Sequence, residues 1–132
     1  MSNEISQYTI QQVAALTGLS VHTLRYYERI GLLTSIGQAT NGHRRYSDED
    51  VARIKLICRL LRTRMPLEQA RRYVSLWLES GDESRSGRAA ILSAHREEVL
   101  RQLADLEETL ALIDQKITSY QEKNIENKET SP

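Results

Sequence analysis

Apolar positions fall into short stripes at the front of the chain and one long stripe at the back. Thr9-Ile10-Gln11-Gln12 opens the first stripe with the residues of a capping box, Thr9 as N-cap and Gln12 three residues on. Tyr8 and Val13 flank the box as a hydrophobic staple. The pattern predicts a helix from Ile10 to Thr17, broken by Gly18, which accepts a positive φ without a Cβ penalty. Ser20 caps a second helix that stops at Gly31. Two short helices joined by Gly18-Leu19-Ser20 read as a helix-turn-helix, with Ala14 small enough for a close crossing and Val13, Leu24 and Tyr27 as the contacts between them. Val21, Leu24 and Tyr27/Glu28 make the inner face of the second helix. His22, Thr23, Arg25, Tyr26 and Arg29 are left facing out.

Residues 32–46 carry no helical stripe, but they hold Gly37, the hairpin dipeptide Asn41-Gly42 and the run Arg44-Arg45-Tyr46. This predicts a small β-ribbon, a wing. Ser47 then caps a third helix whose first turn, Asp48-Glu49-Asp50, suits the positive helix end. Val51, Ile54, Cys58 and Leu61 recur on its apolar face, widened by Ile57. Pro66 fits the first turn of a fourth helix through Leu67, Ala70, Tyr73, Val74, Trp77 and Leu78. Gly81-Asp82-Glu83-Ser84 reads as a break.

Beyond it, Ala89, Leu92, Arg96, Val99, Leu103, Leu106, Leu110, Ile113, Ile117 and Tyr120 alternate by three and four, the a/d register of a coiled coil. A helix over residues 86–122 spans about 55 Å. It has too long a stripe to bury on a small front domain, so the pattern predicts a homodimer through Leu92, Val99, Leu103, Leu106, Leu110, Ile113 and Ile117, the alternative being that the helix folds back on the short helices. Arg96 falls in the seam, where a cation can fix register. His95 falls on the helix flank and reads as solvated. The organisation is mainly α. Residues 8–80 form a winged helix-turn-helix domain, residues 84–122 a long dimerisation helix, and residues 123–132 a polar, flexible tail.

Composition narrows the function. One cysteine in 132 residues excludes an intramolecular disulfide and Cys-pair zinc or cluster ligation, so no metal and no cofactor are expected. No run is apolar enough to span a membrane, and the first residues lack the pattern of a secretory signal, which points to the cytoplasm. The three histidines lie scattered at positions 22, 43 and 95, and no nucleophile–base or paired-carboxylate pattern has meaningful spacing. No catalytic residue is assigned and the chain reads as a non-enzyme. The zero net charge hides a division: residues 1–78 carry 11 cations against 6 acids, and residues 79–132 carry 7 against 12. A basic front half is the electrostatic footprint of a nucleic-acid surface. The start of the second helix, with Ser20, His22, Thr23, Arg25 and Tyr26, offers hydroxyl, imidazole and guanidinium groups suited to a major groove.

The run Thr23-Leu24-Arg25-Tyr26-Tyr27-Glu28-Arg29-Ile30-Gly31-Leu32-Leu33 closely resembles the signature of the MerR family of bacterial transcription regulators. Asn41-Gly42-His43-Arg44-Arg45-Tyr46 is similar to that family's wing motif, residues 48–74 to its next two helices, and the closing helix to its antiparallel dimerisation coiled coil. The resemblance covers residues 8–122. Ser35 and Gly37 stand where the family usually has Pro and Arg, and His43 replaces a usual aromatic. The resemblance implies a dimer on a pseudo-palindromic promoter in the bacterial nucleoid. Such a dimer bends and untwists an overlong spacer so that RNA polymerase finds both promoter elements aligned. It also implies Arg25, Tyr26, Arg44 and Tyr46 as phosphate or groove contacts, with Arg45 and His22 beside them; Tyr27 reads as packing. The alternative is a DNA-architectural winged-helix factor without an effector, against which the long dimer helix argues.

On the apolar face of the third helix Cys58 reads by default as a small buried hydrophobe. The short length and single thiol resemble the branch of the family that responds to aldehydes and nitrosative stress, which makes Cys58 the candidate sensor as the alternative. Arg59, Arg62 and Arg64 would lower its pKa, and the apolar stripe around it would raise it by desolvation. Sequence leaves that balance open.

Overall fold

The computed structural model describes residues 7–33, 38–40, 43–79 and 81–130. Five helices and one antiparallel ribbon follow in the order α1 (Ile10–Thr17), α2 (Val21–Arg29), β1 (Gln38–Thr40), β2 (His43–Arg45), α3 (Asp48–Arg62), α4 (Leu67–Trp77) and α5 (Asp82–Thr130). The chain divides into two units at His95, the first holding α1–α4 with the start of α5, the second the remainder of α5.

Local chemistry sets the ends of the short helices. Thr9 accepts the Gln12 N–H at 3.2 Å while the Gln12 side chain accepts the Thr9 N–H at 2.8 Å, closing the capping box. Ser47 and Asp50 form the same reciprocal pair ahead of α3, at 3.1 and 2.8 Å. Each pair satisfies two backbone donors that a helix start leaves orphaned. Gly18 ends α1 at φ 77° and donates to the Ala14 carbonyl. Ser20 caps α2, accepting the Thr23 N–H at 3.0 Å. In the wing Gln38 faces Arg45, Ala39 faces Arg44 and Thr40 faces His43. The Asn41-Gly42 turn predicted to join the strands lies outside the described residues, as do Ser35 and Gly37. Tyr8 and Tyr46 exchange two backbone hydrogen bonds, at 2.7 and 2.9 Å, tying the end of the ribbon to the lead-in of α1.

α3 carries the core of the first unit. Its buried residues are Val51, Ile54, Ile57 and Leu60, spaced by three. At about 100° per residue, each step of three turns the buried face back by about 60°, so Val51 and Leu60 point to opposite sides of the helix. Val51 and Ile54 pack with Val13, Leu24, Leu33 and Tyr46. Ile57 and Leu60 pack with Leu32, Met65, Ala70, Tyr73, Val74, Leu76 and Ile91. Tyr27 and Trp77 border both clusters. Cys58 and Leu61, expected on the buried stripe, only flank it: both are half-buried, Cys58 against the cluster of Val51 and Ile54 and Leu61 against that of Ile57 and Leu60.

Further expectations are corrected at α5. Pro66 is the cap of α4 rather than a residue of its first turn, and α5 begins at Asp82, directly after Gly81 at φ 111°. Ser84 donates to the Leu76 carbonyl and is buried. Leu92, assigned to the dimer seam, packs on the first unit's own core. His95, expected on a solvated flank, is 6% exposed and lies 2.7 Å from the Thr63 hydroxyl through Nε2. Thr63 Oγ1 also lies 2.7 Å from the Arg59 carbonyl, so the hydroxyl proton goes there and the imidazole donates to Thr63. The flexible tail predicted for residues 123–132 is instead helical as far as Thr130. No Pro or Gly lies between Gly87 and that point, and adding a residue to an existing helix is cheap once nucleation has been met.

In the second unit the apolar stripe stands open: Leu103, Leu106, Leu110, Ile113, Ile117 and Tyr120 are each about half exposed or more. Its polar flank is held by short-range pairs such as Arg101 with Glu98 at 2.9 Å. Among the described residues no helix is long and apolar enough to cross a membrane.

The turn between α3 and α4 stores a strain. Arg64 is exposed and holds φ 76°, a conformation that a residue with a Cβ adopts at a cost of about 1–3 kcal/mol. Arg64→Gly removes that cost and adds unfolded-state entropy. A net gain of about 1 kcal/mol is expected, read as a higher urea midpoint at unchanged slope.

Candidate nucleic-acid interface

The inner face of α2 is used up by packing, which determines what remains. Leu24 is buried, and Val21, Tyr27 and Glu28 are half-buried. His22, Arg25, Tyr26 and Arg29 are exposed on the other side, with Thr23 half-buried at the margin. Four polar or aromatic groups on about two and a half turns make a candidate reading face, and the helix N-terminus adds its positive dipole. Ser20 spends its hydroxyl on the cap: it accepts the Thr23 N–H and donates to Thr23 Oγ1 at 2.9 Å. Its part in the face is to present Thr23. The Arg29 guanidinium sits 5.8 Å from the Tyr26 ring centre, which holds that ring at the surface. Among the described residues Arg25 has no side-chain hydrogen bond or ion pair, so its guanidinium is available.

The wing contributes unevenly. Arg45 is half-exposed on β2. Arg44 lies beside it opposite Ala39; its side chain and that of His43 are outside the described residues. Tyr46, expected as a phosphate or groove contact, is 2% exposed and belongs to the core with Val13 and Leu24. The side chain alternates inward at the strand end, and the backbone pairing with Tyr8 holds it there. The Tyr8 hydroxyl donates to Asp48 at 2.7 Å, joining the same corner to the first turn of α3.

One supporting residue escaped the sequence reading. Arg71 on α4 donates through Nε to the Ile30 carbonyl at 2.8 Å and pairs with Glu68 at 2.6 Å. It satisfies an orphan carbonyl at the C-terminal end of the reading helix. An arginine on a solvated helix face gives no signal of that role in sequence.

Cys58 lines an open cavity of about 570 Å³ formed by the end of α1, the turn after it, Tyr27 and the outer side of α3. Burial pushes its thiol above the ordinary range; Arg62 opposes this and loses. Tyr27 is raised as well, by burial first and then by Cys58 and Tyr26. The question left open by sequence is thus decided by desolvation, and the thiolate is the minor form at neutral pH.

Comparison with known proteins follows the same lines. Residues 8–76 match the family model of the MerR helix-turn-helix family regulatory protein, and residues 51–119 match the model described as MerR, DNA binding. The chain is 32% identical, over 86% of its length and 84% of the relative's, to an uncharacterised HTH-type transcriptional regulator of Haemophilus influenzae. It is 35% identical to the HTH-type transcriptional regulator AdhR of Bacillus subtilis, over 69% of its length and 64% of that protein's. In structure it is similar to HiNmlR, a MerR family regulator lacking the sensor domain, solved bound to promoter DNA. That match has a TM-score of 0.79 at 30% identity, covering 91% of this chain and 94% of that one. A MerR-family regulator from Bacillus thuringiensis matches at 0.77 and 29%, covering 86% and 99%.

The thiol supplies a test. Alkylation of Cys58 by iodoacetamide in the native protein should accelerate with pH along a curve whose midpoint lies above that of a free cysteine, because the reacting thiolate is scarce until then. Arg62→Gln removes the opposing cation, and the midpoint should rise further. Rates followed by mass spectrometry across pH check both shifts.

Proposed function

The chain belongs to the MerR family of helix-turn-helix transcription regulators, and from this we propose that it binds a pseudo-palindromic promoter as a homodimer and controls transcription by deforming the spacer. The observation that carries the DNA reading is the solvated face of α2, where His22, Arg25, Tyr26 and Arg29 stand free of the core. His22 and Thr23 serve as base-edge contacts at the helix start. Arg25, Tyr26, Arg44 and Arg45 serve as phosphate contacts that hold register. The promoter DNA bound to HiNmlR supports the same ligand here. A duplex gripped at two half-sites and bent between them pays a deformation energy that depends on sequence, which is how such a protein selects a spacer. RNA polymerase then reads the realigned elements, and the protein works in the bacterial cytoplasm, on the nucleoid.

The homodimer reading rests on the open stripe of the second unit. Val99, Leu103, Leu106, Leu110, Ile113 and Ile117 form the proposed seam, and Leu92 is left to the first unit's core. An exposed row of leucines and isoleucines on a helix this long costs solubility unless a partner covers it. A trigger at Cys58 has access through its cavity in its favour and a protonated thiol against it. Cys58→Ser in a promoter-reporter assay decides between them: an unchanged response to aldehydes places the trigger elsewhere.

Two measurements test the main reading. Arg25→Ala should weaken binding to every duplex alike and lower the salt slope by about one, whereas His22→Ala should change preference at one base pair by about 1–3 kcal/mol. Equal binding by both variants and the parent across a salt series would remove α2 from the interface. Leu106→Glu with Leu110→Glu puts like charges into the seam, and sedimentation should then report a monomer. A double variant that still sediments as a dimer would move the interface elsewhere.

A further inference from the structure

We propose that the cavity between the helix-turn-helix turn and the outer side of α3 is a binding site for a small organic anion with an apolar body. It is a separate site from the DNA-reading face of α2, and it stands whether or not that face binds DNA.

The argument begins with the rotation of burial along α3. Because the core stripe turns away after Ile54, the side of the helix that begins at Val51 is left uncovered in its second half. Lys55, Cys58, Arg59 and Arg62 fall within about 100° of one another on that side. All four line the cavity. Its volume, about 570 Å³, lies within the roughly 300–1,000 Å³ of small-molecule sites. No carboxylate is among its lining residues. Among the described residues the Lys55, Arg59 and Arg62 side chains have no ion pair or hydrogen bond. Three cations without a partner among the described residues, set around one concavity, make a positive potential suited to an anion.

Apart from Thr17, whose hydroxyl donates to the Val13 carbonyl, and the Tyr27 hydroxyl, the rest of the lining is apolar. Leu16 stands 45% exposed at the rim, on a helix that buries Val13 in the core. Leu61 and the Tyr27 ring continue that surface. Cations around an apolar wall fit a carboxylate or sulfonate carried on a hydrocarbon or aromatic group: the head meets the guanidinium forks of Arg59 and Arg62, and the body covers Leu16 and Tyr27. A nucleic-acid phosphate backbone satisfies the cations but leaves the apolar wall wet, so the small amphipathic anion is the better match. Bound there, it touches α1, the turn, α2 and α3 together, the four segments whose mutual packing sets the position of the reading helix.

The probe is 1-anilinonaphthalene-8-sulfonate, with its uncharged relative N-phenyl-1-naphthylamine as control. Both are titrated by calorimetry into the 132-residue chain. One sulfonate probe per chain is expected. Arg59→Gln with Arg62→Gln should weaken it about tenfold or more and leave the uncharged relative unchanged. Leu16→Trp, at a position exposed enough to accept the larger ring, should fill the cavity and weaken both probes. Thermal melting of each variant at the parental temperature establishes that the fold is kept. Equal sulfonate affinity in the double variant overturns the site. Displacement of the bound sulfonate by operator duplex overturns it too, by making the cations DNA contacts, and so does a dimer that takes up no probe because a second copy covers the cavity.

Discussion

Everything in the first unit hangs on the three-residue spacing of burial along α3. A strict amphipathic helix presents one face and closes one core. Val51, Ile54, Ile57 and Leu60 instead wind the buried side through about half a turn. The N-terminal half of α3 thereby closes the cluster under α1, α2 and the end of the wing, and the C-terminal half closes the cluster under α4 and the start of α5. One helix supports the reading element on one side and the root of the long helix on the other. Tyr27 and Trp77 border both clusters, and the edge-on Tyr73–Trp77 pair and the Arg53 guanidinium 5.2 Å from the Trp77 ring fix that junction.

The functional surfaces are what this packing leaves over. α2 gives Leu24 to the core and keeps its cations and His22 outside, so the candidate reading face is defined by subtraction. The reading helix is pinned at both ends: Ser20 caps its start, and Arg71 reaches from α4 to the Ile30 carbonyl at its finish. The wing is pinned by the Tyr8–Tyr46 exchange, which explains why an aromatic at the strand end serves the core rather than the solvent. The same rotation that closes two cores opens the cavity over Cys58, and the thiol's raised pKa is a direct consequence of its half-buried place there.

The two units are stabilised in different ways. The first is held by buried contacts among distant parts of the chain. The second is a single helix, supported among the described residues by short-range pairs such as Glu98–Arg101 and the Lys116 ammonium near Tyr120. Such pairs contribute a few tenths of a kcal/mol each. A helix of this kind leans on tertiary or quaternary burial of its stripe for most of its stability.

What the sequence determined by itself is the part governed by neighbours in the chain. The capping boxes at Thr9 and Ser47, the stop at Gly18 and the a/d alternation from Val99 to Tyr120 all follow from interactions within four residues, and α1 lies where its caps put it. The outward set on α2 was legible for the same reason, since helical period alone separates Leu24 from His22 and Arg25. The tertiary structure decided the rest. Tyr46 and His95 went to the first unit's interior and Leu92 packs half-buried against its core, although motif and periodicity gave the first two surface roles and the third a place in the dimer seam. Cys58 went to a half-buried flank, and desolvation overcame Arg62 there. Each of these outcomes depends on a partner at least thirty residues away or on the direction from which another helix arrives. A local pattern marks a side chain as apolar or polar, but only the packed fold determines which of two apolar faces is covered.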